Sequence, residues 1–194
     1  MRIVDGVVGP RQSAPGARGG RGGWLVVAGD VVRALAAASV VVGTWRAGLV
    51  ACALFLLVLG GTLIPRAIGA PAGLDVAYSV TLLFAAWAAQ LEWYAAVDWL
   101  DLAVHAVATG LVAVMVLLAL VRWRVITDSA DAPDRIVLVT GLGATAAVLW
   151  EIGEWAGHTF LDPSIYVGYA DTVGDLAAGL AGSVVAAVVL ARRS

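Results

Sequence analysis

The stretch Trp150-Glu151-Ile152-Gly153-Glu154-Trp155-Ala156-Gly157-His158 closes an apolar run that begins at Ile136 and is otherwise free of charge. Continued as a helix, it sets Glu151, Glu154 and His158 at i, i+3 and i+7, on one face. Two carboxylates and an imidazole on one face of a bilayer-spanning helix are costly. Such residues usually turn toward a bundle interior or a water-filled cavity. Two other apolar segments carry matching stripes: Asp98, Asp101 and His105 repeat the i, i+3, i+7 spacing, and Asp171 and Asp175 stand at i, i+4.

The rest of the chain says which solvent those helices meet. Of its 194 residues 61% are hydrophobic and 13% charged, with a mean hydropathy of +0.93. Soluble domains are nearer half apolar and a quarter charged. The apolar excess lies in runs long enough to cross a bilayer. The expected fold class is therefore all-α, a multi-pass transmembrane helix bundle. Every basic residue is an arginine, and the net charge of −2 matters less than where the charges sit. The single cysteine, Cys52, lies inside an apolar run, which excludes an intramolecular disulfide and a cysteine-based metal site. No basic face exists beyond the N-terminal residues, so the expected partner is the lipid bilayer and not nucleic acid.

Residues 1–23, rich in Gly, Arg and Pro, read as a disordered cytoplasmic tail anchored by Arg2, Arg11, Arg18 and Arg21. They are too long and broken for the start of a cleaved signal. The transmembrane domain is expected over residues 24–192, in six spans at about 24–44, 47–64, 76–96, 97–121, 136–158 and 171–191. The first span contains Asp30 and Arg33, an i, i+3 pair able to neutralise itself. Arginine placement fixes the topology. With six spans and the N-terminus inside, Arg2, Arg11, Arg18, Arg21, Arg66, Arg122, Arg124, Arg135, Arg192 and Arg193 fall on the cytoplasmic side and Arg46 alone falls outside. Five spans would leave no bias. Both termini are thus expected in the cytoplasm.

That topology places the three stripes at one depth. The fourth span enters from outside, with Asp98 at the rim, Asp101 a turn inside and His105 roughly 10 Å deep. The fifth travels outward, so Glu151 is deep, Glu154 shallower and His158 at the rim. The sixth has Asp171 at the rim and Asp175 roughly 6 Å inside. No arginine lies between Arg66 and Arg122 or between Arg135 and Arg192. Crowded carboxylates in a poorly solvated place cannot all remain ionised. Either protons are held on them or a bound cation balances them, and oxygen ligands with imidazole suit Zn, Mn, Fe or Mg. Asp101, His105, Glu151, Glu154, Asp171 and Asp175 are the candidate metal ligands, and Glu151, Glu154 and Asp101 the candidate catalytic groups.

At these residues the chain resembles the YjdF-like family of bacterial inner-membrane proteins. The matching segments are Asp101-Leu102-Ala103-Val104-His105, then Trp150-Glu151-Ile152-Gly153-Glu154-Trp155, then Asp171-Thr172-Val173-Gly174-Asp175 followed by Gly179 and Gly182. Order and approximate separations agree over about residues 74–190. The Asp-x-x-x-His element is similar, more distantly, to VanZ-like membrane proteins. The link between the third and fourth spans is shorter here than in the YjdF-like pattern, and Asp98 and His158 fall outside its motifs. The resemblance implies a six-helix membrane protein of the cell inner membrane and those six residues, without an activity.

Plainer roles compete at several positions. Glu151 and Glu154 could be protonated carboxyls holding helices together, and His105 a neutral imidazole hydrogen-bonded to Asp101. Asp98, Asp162 and His158 sit at the aqueous rim. Gly179 and Gly182 suit close helix packing, and Trp24, Trp45, Trp93, Trp99 and Trp123 suit an interfacial belt. There is no His-Glu-x-x-His motif and no Gly-x-Ser-x-Gly elbow. With no arginine at the outer site itself, any phosphate there must be handled by a metal. Three readings remain, in this order. First is a divalent-metal site in the outer-leaflet half, with metallohydrolase activity on an outer-leaflet or lipid-linked substrate. Second is a proton- or cation-coupled small carrier, disfavoured because no second carboxylate station is seen toward the cytoplasm. Third is a structural scaffold.

Overall fold

In the computed structural model of the chain, residues 19–127 and 131–192 are described, with side chains from residue 22 onward. Among them the regular structure is helical, without strands. The helices are α1 (Gly19–Ile68), α2 (Ala72–Gln90), the one-turn α3 (Trp93–Ala96), α4 (Leu100–Arg122), α5 (Ala132–Phe160) and α6 (Tyr169–Arg192). All but α3 are long and apolar enough to cross a membrane. Residues 1–18 of the expected tail lie outside the described residues, and Gly19 already opens α1.

Helix α1 is broken. Ala47 (φ −136°, ψ 15°) and Gly48 (φ 74°, ψ −154°) leave helical geometry. The Gly48 conformation is one that essentially only glycine adopts, because a Cβ would collide with the backbone. The chain therefore reverses there, and residues 49–68 return along residues 19–46. Arg33 Nε donates to the Thr62 carbonyl at 2.9 Å, and the Phe55 ring fills the space beside Gly43, where any Cβ would overlap it. Phe55 is fully buried, packed with Ala36, Val58 and Ala86. Trp87 of α2 tilts against it at 4.9 Å between ring centroids and donates its indole N–H to Ser39 at 3.0 Å.

Described residues up to Gln90, with 121–127, form one compact unit; those from Leu91 to Leu120, and from Asp131 onward, form the other. In the second unit small residues let backbones approach. A Cβ on Gly182 of α6 would run into the backbone of Ala106 in α4, and one on Gly110 of α4 would meet the Gly182 carbonyl. Gly179 faces Thr109 and Ala147, and Gly143 faces Ser183. These contacts run α4 and α6 in the same direction, with α5 antiparallel to both. Interfaces of this kind are how membrane helices gain dispersion energy without help from water.

The junction between the expected third and fourth spans differs from the structure. Helix α2 begins at Ala72, so it includes Asp75, and it ends at Gln90 instead of running to residue 96. Glu92 then adopts a left-handed conformation (φ 57°, ψ 27°), and α3 follows for one turn before Val97 becomes extended. The uninterrupted apolar character of Trp93-Tyr94-Ala95-Ala96 hides this break from a hydropathy reading.

Candidate functional site

Among the described residues two clusters of carboxylates with basic side chains stand out within the apolar helices, one in each unit, and their charge balance differs. In the first unit Arg33, 9% exposed, meets Asp75, 4% exposed. Its Nη2 donates to both Asp75 carboxylate oxygens at 2.5 and 2.7 Å, while Ser79 donates to Asp75 at 3.2 Å. Arg33 also reaches Asp30 at 3.2 Å, and Arg66 grips the same aspartate at 2.5 and 2.7 Å. The local Asp30–Arg33 pair expected from the sequence thus exists, yet Arg33 spends its bidentate contact on Asp75 and Asp30 receives a second arginine. Two cations balance two anions, as a low-dielectric setting requires. Asp30 and Asp75 thus form a second group of carboxylates within the apolar helices, each paired with arginine.

The second unit assembles carboxylates around one imidazole. Asp101 and His105 share a face of α4 because they are one turn apart. The His105 Nε2 lies 3.5 Å from Asp101 Oδ1 and 4.0 Å from Asp175 Oδ1 of α6. One ligand atom from each of the three falls within 4.8 Å of the others. Asp175 is 3% exposed, while Asp101 and His105 are half-buried. The parallel alignment of α4 and α6, fixed by Gly182 against Ala106, brings Asp175 to the level of Asp101 and His105. Two donors held about 2.1 Å from a metal stand about 3.0–4.2 Å apart, which is the spacing both His105 separations have.

The other expected residues flank these three. Glu151, half-buried on α5, is hydrogen-bonded by the Thr172 side chain and lies within electrostatic range of His105, Asp171 and Asp101. Glu154 is hydrogen-bonded by Trp150, one turn before it, and interacts with Glu151, Asp175 and Asp101. Asp171, in the first turn of α6, interacts with Asp175 and Asp101. His158 is turned elsewhere: its Nδ1 is 2.6 Å from the Ile165 carbonyl, which accepts, so that nitrogen carries a proton. Asp98 and Glu92 are exposed on the connection between α2 and α4. Asp162 accepts the Ser164 backbone N–H at 2.9 Å, and the hydrogen bonds from Ser164 hold its carboxyl below the usual aspartate range.

Two contributors were not singled out in the sequence. Asp75 stood just before the expected start of its span. Tyr94, half-buried in α3, lies in the connection outside the spanning helices, and burial, followed by the charges of Asp101, Glu154 and Asp175, pushes its phenol up. Its only sequence signal was closeness to Asp101.

Apolar helices long enough to cross a bilayer, with a partly buried Asp/His cluster among them, define a multi-pass membrane protein. Residues 24–194 match the model of a family described as predicted membrane protein (DUF2238), and the chain belongs to that family. Comparison with curated proteins and with solved structures gave no match.

Proposed function

We propose that this chain is a YjdF-like protein of the bacterial inner membrane that crosses the bilayer six times, both termini cytoplasmic. In the outer-leaflet half it holds a divalent metal (Zn, Mn, Fe or Mg) and acts as a metallohydrolase on an outer-leaflet or lipid-linked substrate. The observation that carries the metal is the convergence of Asp101, His105 and Asp175. The break at Ala47–Gly48 supports two crossings by α1. Charge balance supports a cation: Asp30 and Asp75 have Arg33 and Arg66, whereas among the described residues Asp101 and Asp175 pair with His105, which is cationic only when protonated.

In this reading Asp101, His105 and Asp175 are ligands, with Asp171 at the rim able to join them. A divalent ion held by these residues would supply Lewis acidity. Glu151 and Glu154 lie near the ligands on a different helix and would serve as general base if a metal is held there. Thr172 and Trp150 orient the two carboxylates through the hydrogen bonds they donate. A phosphoester substrate would be neutralised by the metal, since no arginine of α4, α5 or α6 reaches the cluster by sequence position. A carrier reading requires a second station of unbalanced carboxylates, and the Asp30/Asp75 group is balanced by arginine.

The test is elemental analysis of the detergent-purified protein beside the Asp101→Asn/Asp175→Asn double variant. About one or two transition metals per chain in the wild type, lost in the variant, is the expected result. Background metal in both would mean that the carboxylates hold protons, and the metallohydrolase reading would fall.

A further inference from the structure

The connection from α5 to α6 is apolar where a loop in water would be polar. Phe160, Leu161, Tyr166 and Tyr169 are between 69% and 89% exposed, and Asp162 is the one charged residue from Thr159 to Ala170. Backbone hydrogen bonds hold the segment in a tight turn. Leu161 N and Asp162 N both bond to the Gly157 carbonyl at 2.9 Å, and Ile165 N bonds to the Asp162 carbonyl at 3.1 Å. Ile165 is thereby brought back level with the last turn of α5. Its carbonyl accepts from His158 Nδ1 at 2.6 Å, and its Cδ1 stands 3.0 Å from where a Cβ on Gly157 would be. The Thr172 N–H then closes on the Gly168 carbonyl at 2.8 Å as α6 begins.

Helix length sets the depth of this turn. Helix α5 has 29 residues, about 43 Å at 1.5 Å per residue, and α6 has 24, about 36 Å. A bilayer is about 30 Å thick across its hydrocarbon and about 40–45 Å with its headgroups. Both helices therefore reach the headgroup layer, and a chain that folds back to Gly157 stays within it. The exposed apolar surface is also continuous with that of α5. Ile152 and Trp155 are exposed, and the Trp155 ring meets Phe160 edge-on, with 5.8 Å between centroids.

We propose that this connection is a lipid-binding surface, with Phe160, Leu161, Tyr166 and Tyr169 seated at the boundary between lipid headgroups and upper acyl chains. Rings with one apolar and one polar end are the side chains that suit that layer. Left in water, an apolar patch of this kind forfeits the free energy that burial returns. With no basic residue from Thr159 to Ala170, insertion of apolar groups supplies the attraction, and headgroup charge does not. Tyr169 opens the helix whose first turn carries Asp171. Lipid thus borders the rim of the carboxylate cluster, whether or not that cluster holds a metal.

Spin-label accessibility tests this on the full chain in nanodiscs of phosphatidylethanolamine and phosphatidylglycerol, whose two faces are both open to solvent. In a Cys52→Ser background, nitroxides are attached singly at Phe160→Cys, at Tyr166→Cys and at Asp131→Cys, the last in the polar link before α5. The expected result is that oxygen relaxes the labels at 160 and 166 more strongly than a water-soluble nickel chelate does, with the order reversed at 131. Stronger relaxation by the nickel chelate at 160 and 166 sets the turn in water and overturns the proposal. Labels shielded from both reagents mean that a protein surface, a second copy included, covers the turn, which overturns it as well. If the cysteine variants fail to fold, the unsubstituted chain is photolabelled by a phosphatidylcholine carrying a diazirine near the top of its acyl chain. Adducts within residues 160–169 are expected, and adducts on α5 up to Trp155 with none beyond it overturn the proposal.

Discussion

Arg33 and Asp75, 42 residues apart, are joined by two contacts from a single guanidinium nitrogen inside the apolar helices of the first unit. The pair ties the helical hairpin of α1 to α2 more specifically than the apolar contacts around Phe55 can. Removing one member of such a pair leaves an uncompensated charge.

For this reason Arg33→Ala or Asp75→Asn should each destabilise the protein by about 3–5 kcal/mol, whereas Arg33→Met with Asp75→Leu should cost clearly less than either single change. Asp30 and Arg66 would still neutralise each other in the double variant. Reversible unfolding in mixed micelles measures all three. A double variant as damaged as the singles would show that the ions contribute something other than mutual compensation.

The glycines of α6 make a contrasting prediction. Gly182→Ala sets a methyl against the Ala106 backbone, which cannot yield as a side chain can, and should cost about 1–3 kcal/mol. Gly60→Ala meets nothing within 4 Å and should be neutral or slightly stabilising, since alanine is the better helix former. Folded yield and melting temperature of the two variants decide it. Equal behaviour would contradict the close contact between α4 and α6.

The α5–α6 loop has a pH response whose sign follows from Asp162. Its carboxyl is held down by the Ser164 hydrogen bonds. A depressed folded value means the contribution to loop order is present above the unfolded value of about 3.9 and is lost as pH falls through the lower, folded value. The amide resonance of Ser164 should titrate with a midpoint below about 3.9 and become flat in Asp162→Asn. A midpoint at or above that value would contradict the hydrogen bond.

Topology can be read by cysteine labelling. With Cys52 replaced by serine, a cysteine at Arg46 should react in intact cells with a membrane-impermeant maleimide, and one at Ala70 should react after lysis only. Labelling of both, or of neither, in intact cells would contradict two crossings by α1.

Much of the helical plan could be read from the sequence because apolar runs of bilayer length leave few alternatives. The Asp101–His105 pairing was equally accessible, being one helical turn within a single element. What escaped were choices made by tertiary packing. Arg33 was matched with its neighbour Asp30 because spacing along a helix is visible, whereas Asp75 lay beyond a chain reversal and at the charged edge where a span would be expected to stop. Tyr94 escaped for a related reason. The left-handed turn at Glu92 has no glycine or proline to announce it, so a half-buried phenol in a one-turn helix looked like the end of a longer apolar one.

The backbone seam between α4 and α6 has a consequence for what the cluster can select. Where Gly182 rests on Ala106 the two backbones meet with no side chain between them to compress or swing. Asp101 and His105 on one wall and Asp175 on the other stand across that contact. On the proposed metal reading, a cradle of fixed width would favour a small ion over a large one present at the same concentration.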